Sequence, residues 1–224
     1  VKKTLITVLL FSAYAIAQSQ PSSPQSGSGT KDKQTEKRTA DGKKDHKEVS
    51  PQTVVNQGNW NLGVWMEGGS GIGKHSDTQF IYFGGRIGKV LTPEIGPGFL
   101  KGTFEYAVDV IPYEFVKQPP FNAHGAGFNP AVLKWNFTSG KKVIPYLELA
   151  GGVLFTNRDV PVTTNSVNFT PQGGIGIHIL RADKKQAITA NIKYMHVSNA
   201  KLANNNQGIN AAVIFGLGYT WFKR

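Results

Sequence analysis

The stretch Thr103-Phe104-Glu105-Tyr106-Ala107-Val108-Asp109-Val110 alternates bulky apolar residues with polar or small ones. A period of two belongs to an extended strand with unlike faces, since successive side chains point to opposite sides. Phe104, Tyr106, Val108 and Val110 form an apolar row, and Thr103, Glu105, Ala107 and Asp109 lie opposite. Working outward, seven more segments carry strand texture, giving Asn59–Glu67, Gln79–Lys89, Phe99–Ile111, Ala126–Phe137, Val143–Phe155, Asn168–Leu180, Gln186–Val197 and Gly208–Phe222. All exceed the five or six residues usual in soluble strands and suit tilted membrane strands of roughly ten.

The connections between segments fall into two sets. Thr138-Ser139-Gly140-Lys141-Lys142 and Arg181-Ala182-Asp183-Lys184-Lys185 are short, and a Pro/Gly stretch around Pro93 and Pro97 joins the second and third segments. The alternate set, around 68–78, 112–125, 156–167 and 198–207, is mostly longer or richer in polar and turn residues. Short turns on one side and long loops on the other are the habit of transmembrane barrels, with the loops outside. The expected fold is therefore all-β, an eight-stranded antiparallel transmembrane β-barrel over residues 57–224. A soluble lipocalin-like barrel with its apolar face inward shows the same alternation. Polar Lys101, Glu105, Asp109 and Lys193 opposite apolar rows favour the membrane form. Eight strands leave an interior just filled by side chains, which argues against a diffusion pore.

The 224 residues include 26 glycines, 11% aromatics and no cysteine, so neither disulfides nor thiolate metal sites are available. Lys2 and Lys3, the apolar run Thr4 to Tyr14 and Ala15-Ile16-Ala17 have the pattern of a secretory signal peptide, 1–17. That run is too short to span a bilayer as a helix. Residues 18–50 hold no aromatic and a single Val as bulky apolar residue, so 18–56 is expected to be a disordered periplasmic linker. Of the formal net charge of +11, the barrel part carries +7, from 16 Lys/Arg against 9 Asp/Glu. An exported protein seldom meets nucleic acid, so the anionic neighbour expected is lipopolysaccharide phosphate.

Gly68-Gly69-Ser70-Gly71-Ile72-Gly73-Lys74 is one residue short of a phosphate-binding loop, because His75 stands where the magnesium-binding hydroxyl belongs. No helix is expected after it, and it reads as a glycine-rich loop. His124 and His178 lack partners at metal-ligand spacing and read as loop or barrel-wall residues, and His46 as solvated.

The chemistry gathers in Tyr194-Met195-His196-Val197-Ser198-Asn199-Ala200-Lys201-Leu202, followed by Asn204 to Asn210. Strand parity puts Ile188, Ala190, Ile192, Tyr194, His196 and Ser198 on one mostly apolar face, with Thr189, Asn191 and Lys193 opposite. If that row faces lipid, a histidine and a serine sit together on the outside of the barrel at its outer rim. Neighbours two apart on one face can bring imidazole near hydroxyl, the arrangement that activates a serine nucleophile.

This H-x-S-N-A-x-L stretch, with the Asn-rich loop and Gly208-Ile209-Asn210 after it, resembles the PagL-type lipid A 3-O-deacylases of Gram-negative outer membranes. The likeness extends in layout over the barrel, including Pro145-Tyr146-Leu147-Glu148 and Gly151-Gly152. It implies His196 as general base and Ser198 as nucleophile, with Asn199, Ala200 and Asn206 around the oxyanion. It implies an ester hydrolase acting on lipid A, without cofactor or metal, and is compatible with a homodimer. The family's acid falls on Asn210, which cannot supply a charge, and strand parity turns Asn210 away from His196 unless a bulge intervenes. Asp159 or Glu114 from neighbouring outer loops are the alternatives. Lys201 replaces a small residue and is placed to meet a lipid A phosphate or solvent. A non-catalytic barrel that binds or stabilises lipopolysaccharide is the rival membrane reading. A soluble barrel holding an apolar ligand is the third.

Overall fold

The computed structural model describes residues 49–181, 185–202 and 208–224; the expected leader, the linker up to residue 48 and Asn206 lie outside them. Among the described residues nine strands follow one another: β1 (Trp60–Gly71), β2 (Gln79–Val90), β3 (Gly102–Lys117), β4 (Ala123–Phe137), β5 (Val143–Thr156), β6 (Val167–Phe169), β7 (Gln172–Leu180), β8 (Gln186–Val197) and β9 (Ile209–Lys223). All pairings are antiparallel, and β1 pairs with β9 while β4 pairs with β5, so the sheet closes. Both β6 and β7 pair with β5, as two pieces of one wall strand interrupted at Thr170-Pro171. Proline has no N–H for a ladder, which is why the strand breaks there. The wall therefore has eight strands, as the alternation implied.

Three boundaries differ from expectation, each for a local reason. Residues 98–100 form a 3₁₀ turn, closed by an Ile95–Gly102 bridge, so the third strand starts at Gly102 and not at Phe99. That strand then runs through Pro112 to Lys117, because Pro112 lies at a bulge where Tyr113 and Val110 span Phe83 and Gly85. Bulges tolerate a missing N–H, and Pro130 lies at another on β4. The outer connection expected over 112–125 shrinks to 118–122. Finally, half of the glycine-rich run belongs to β1, and a Cβ on Gly69 would come within 1.9 Å of the Val213 carbonyl oxygen.

The two faces of the wall decide the solvent. Leu149, Phe215 and Ile175 are 65%, 60% and 57% exposed on the outside, and Leu217, Ile87 and Met66 join them. Inside, Glu105 and Asp109 are 0% and Lys134 1% exposed. A water-soluble barrel would have these reversed; this one presents apolar side chains to hydrocarbon and keeps its charges within. Among the described residues no helix is long and apolar enough to cross a membrane, and the crossing elements are strands. Trp60, Trp135 and Trp221 lie near the end that carries the short turns, with the Lys89 ammonium 5.0 Å from the Trp60 ring. Aromatics beside cations are the usual furniture of the headgroup layer. The protein is a transmembrane β-barrel.

The interior is a paired network that fills the lumen. Arg86 forks onto Asp109 (Nε–Oδ1 2.6 Å, Nη2–Oδ2 2.9 Å) and also reaches Glu148 (Nη2–Oε1 3.1 Å). Lys193 bridges Glu67 (2.7 Å) and Glu148 (3.2 Å), while Asn61 and Asn136 donate to the two oxygens of Glu105. Lys134 Nζ lies 3.0 Å from His178 Nε2, so His178 is an interior residue of this network. Above the network Phe80, Tyr82, Ile111, Val116, Met195, Val197, Ile209 and Ile214 pack as an apolar plug under the outer loops. Below it Val90, Ile144, Leu180, Ala187 and Phe222 form a second plug, completed by Val54 and Val55 of the N-terminal segment. A four-residue helix, α1 (Pro51–Val54), ends on these two valines, with Val55 its C-cap, and is tied down by Asn59 Nδ2 donating to the Thr53 and Val54 carbonyls. Residues 49–56, expected as the end of the linker, thus close the inner mouth of the barrel.

In the β2–β3 turn, Lys101 Nζ sits 2.6 Å from Glu94 Oε2 and Thr138 also donates to this carboxylate. These hydrogen bonds, Lys101 first, hold the Glu94 carboxyl below its ordinary range. A depressed folded value means the contribution is present above the usual carboxylate range and lost as pH falls through the lowered one. Amide-exchange protection at Ile95 and Gly102 is expected to weaken as pH falls through and below the usual carboxylate range, and Glu94→Gln should remove that pH dependence. Equal pH dependence in both proteins would exclude Glu94 as the source.

Candidate active site

On β8 the burial alternates as the sequence implied: Ala187, Lys193, Met195 and Val197 point in, and Ile188, Ile192 and Tyr194 point out. His196 and Ser198 continue the outward row and are half-buried at the outer rim. Their backbone is pinned on one side by the interrupted strand. The His196 N–H donates to the Pro171 carbonyl (2.9 Å), Ser198 N–H to Phe169 O (3.0 Å), and Phe169 N–H back to Ser198 O (2.7 Å).

On the other side, the β8–β9 ladder slips. Met195 pairs with Ala212 and Val197 with Ile209, so two steps on β8 face three on β9. The extra residue is a bulge, and it breaks the parity of β9: Ile209 and Ala212 are buried, while Asn210 and Ala211 between them both turn outward. Asn210 therefore faces the His196 side despite its place in the alternation. The contact is made by the main chain. His196 Nδ1 lies 3.2 Å from the Asn210 carbonyl oxygen, and Tyr194 Oη donates to the same oxygen at 2.7 Å. A carbonyl can only accept, so this bond requires the proton on Nδ1, and in the neutral ring Nε2 then keeps its lone pair. The Asn210 side chain is exposed.

After Ser198 the chain turns sharply. Asn199 is fully buried, and its Oδ1 accepts from the Lys201 N–H at 2.9 Å. Ala200 and Lys201 have φ of 50° and 67°, left-handed values that non-glycine residues adopt at a cost of about 1–3 kcal/mol each. Where the chain returns, a Cβ on Gly208 would lie 2.1 Å from the Val197 carbonyl oxygen, so only glycine lets β9 begin that close. Among the described residues no hydrogen bond joins the Ser198 hydroxyl to the His196 ring.

A model of the family described as lipid A 3-O-deacylase (PagL) matches residues 48–220. The chain belongs to this family. No curated protein matches it in sequence. Among solved structures it is similar to the crystal structure of the outer membrane enzyme PagL, at 20% identity over 71% of this chain and 98% of that one, with TM-score 0.48. It is also similar to the N-terminal β-barrel domain of Pseudomonas aeruginosa OprF, at 14% identity over 74% and 98%, with TM-score 0.48. Membership implies a lipid A deacylase in the outer membrane.

Of the site residues read from sequence, the structure brings His196, Ser198 and Asn210 to one patch of the outer wall, with Asn199 and Ala200 in the adjoining turn. Neither alternative acid is hydrogen-bonded to His196 among the described residues. Glu114 belongs to β3 and points into the barrel beside Tyr82 and Trp65. Asp159 is engaged through its carbonyl, which accepts from Gln118, and among the described residues it makes no hydrogen bond to His196. His124 lies on the outer face of β4, bonded to Tyr113 Oη at 3.0 Å. Sequence reasoning assigned no role to Tyr194. Its parity with His196 was the available signal.

Proposed function

We propose that this barrel is a serine esterase that removes an ester-linked 3-hydroxyacyl chain from lipid A in the outer leaflet. The observation that carries the reading is the His196 ring held through Nδ1 on the outward face next to Ser198. A base whose tautomer is fixed at Nδ1 offers Nε2 to a neighbouring hydroxyl, the arrangement that makes serine a nucleophile.

Ser198 Oγ attacks the ester carbonyl carbon while its proton passes to His196 Nε2. The tetrahedral adduct collapses, the bond from acyl carbon to sugar oxygen breaks, and the imidazolium returns the proton to that oxygen. Water then attacks the acyl-enzyme, giving one proton to His196, and collapse frees the 3-hydroxy fatty acid as Ser198 Oγ is reprotonated. Asn199 and Ala200, with Asn206 beyond the described residues, supply donors to the oxyanion. An outward site needs no channel, because the substrate lies in the same leaflet. Asn210 acts through its carbonyl as the residue that orients the base.

Lipid A from cells expressing the chain, compared by mass spectrometry with lipid A from an empty-vector strain, is expected to lose the mass of one 3-hydroxyacyl group. An unchanged spectrum with a folded, surface-exposed barrel would overturn the esterase and leave a lipopolysaccharide-binding barrel.

A further inference from the structure

One main-chain oxygen receives two side-chain donors. Tyr194 Oη and His196 Nδ1, two residues apart on the outward face of β8, converge on the carbonyl of Asn210 at 2.7 and 3.2 Å. The bulge opposite, between the Met195–Ala212 and Val197–Ile209 pairs, adds a residue to β9 at the level of His196 and sets this carbonyl within reach of both donors. Tyr194 makes the shorter bond and is itself 53% exposed, so its ring lies along the wall with its hydroxyl at the bulge.

A carboxylate holding a catalytic histidine does so by charge as well as by geometry. A neutral carbonyl has only a hydrogen bond to offer, so its position must be fixed by something else. We infer that Tyr194 is a positioning residue: its hydroxyl locks the bulged Asn210 carbonyl, and the carbonyl in turn keeps the His196 ring in the Nδ1–H tautomer. This rests on His196 being the base of the proposed esterase. It explains how a chain with asparagine at the position of the acid can still orient its histidine. The tyrosine acts through His196 and need not touch the substrate, so its loss is felt in turnover and not in binding.

The test uses the full-length barrel in detergent micelles with purified lipid A. Tyr194→Phe removes one oxygen from an exposed ring and should leave the heat-modifiable folded band intact. Its kcat is expected to fall about tenfold, the size of one lost neutral hydrogen bond, with KM unchanged. With ¹⁵N-labelled histidine, the His196 signals, assigned by their loss in His196→Ala, should show a single Nδ1–H tautomer in the wild type and a mixture in Tyr194→Phe. Wild-type kcat together with an unchanged tautomer would overturn the inference, as would a rise in KM alone, which would make Tyr194 a substrate contact. If His196→Ala retains deacylation, the esterase reading fails first. If His196→Ala is inactive while Tyr194→Phe equals the wild type, only the positioning role fails.

Discussion

Ser198→Ala is expected to leave a fully folded barrel that releases acyl chains from lipid A at least ~10⁴-fold more slowly than the wild type. The folding half follows from the site itself. Ser198 holds its place through main-chain bonds to Phe169, which alanine keeps, and its half-buried hydroxyl makes no side-chain bond among the described residues. Such a surface change stays within about 0.5 kcal/mol. The catalytic half follows from the chemistry, since no other hydroxyl on the outward row of β8 can replace the nucleophile: Ile188, Ala190 and Ile192 have none, and the phenol of Tyr194 is committed to Asn210. His196→Ala should cost a similar factor, and the double variant little more than either single one, because base and nucleophile act as a unit. Additive losses in the double variant would mean that the two residues serve separate steps. Wild-type acyl loss in either single variant would remove the mechanism. Mass spectrometry of lipid A, with heat-modifiable gel mobility as the folding control, reads both outcomes.

What the sequence made legible at this site, and what it hid, turns on one inserted residue. A strand period of two is rigid, so the outward row through Tyr194, His196 and Ser198 could be read off without a structure. The same rule, applied to β9, turns Asn210 away from the histidine. The bulge that reverses it lies in Ile209-Asn210-Ala211-Ala212, which has neither glycine nor proline to mark an irregularity. Parity fails silently there. Glu114 was misplaced for a related reason: Pro112 reads as a strand end, whereas it sits in a bulge that lets β3 continue and carries Glu114 into the lumen. The fold itself was legible because each wall strand separates charge from apolar surface, and a closed barrel with polar residues inside is the arrangement that satisfies all of them at once. The closure of the inner mouth was not. Val54 and Val55 stand at the end of a long polar stretch, and only their tertiary partners show that they are core.

Arg86 is the residue whose loss should cost the barrel most. It is the shared partner of Asp109 and Glu148 in the middle of the lumen, and none of the three side chains is more than 9% exposed. Arg86→Met keeps the length of the stem and removes the charge, leaving Asp109 with no ion-pair partner among the described residues and Glu148 paired with Lys193. Stranding a buried carboxylate is expected to destabilise by about 3–5 kcal/mol, far more than the pairing itself contributes. The distinction can be measured. Adding Asp109→Asn to Arg86→Met removes the stranded charge, and Asn129, which donates to Asp109 Oδ2 at 3.2 Å, can donate equally to an amide oxygen. Glu148 keeps Lys193 in that double variant, so most of the loss should return. Urea unfolding of the detergent-folded barrel, followed by gel mobility, gives the three stabilities. If Arg86→Met alone is as stable as the wild type, the lumen is wet enough to screen its charges. If the double variant is no better than the single one, the loss comes from the packing of the guanidinium stem and head, and not from the uncompensated carboxylate.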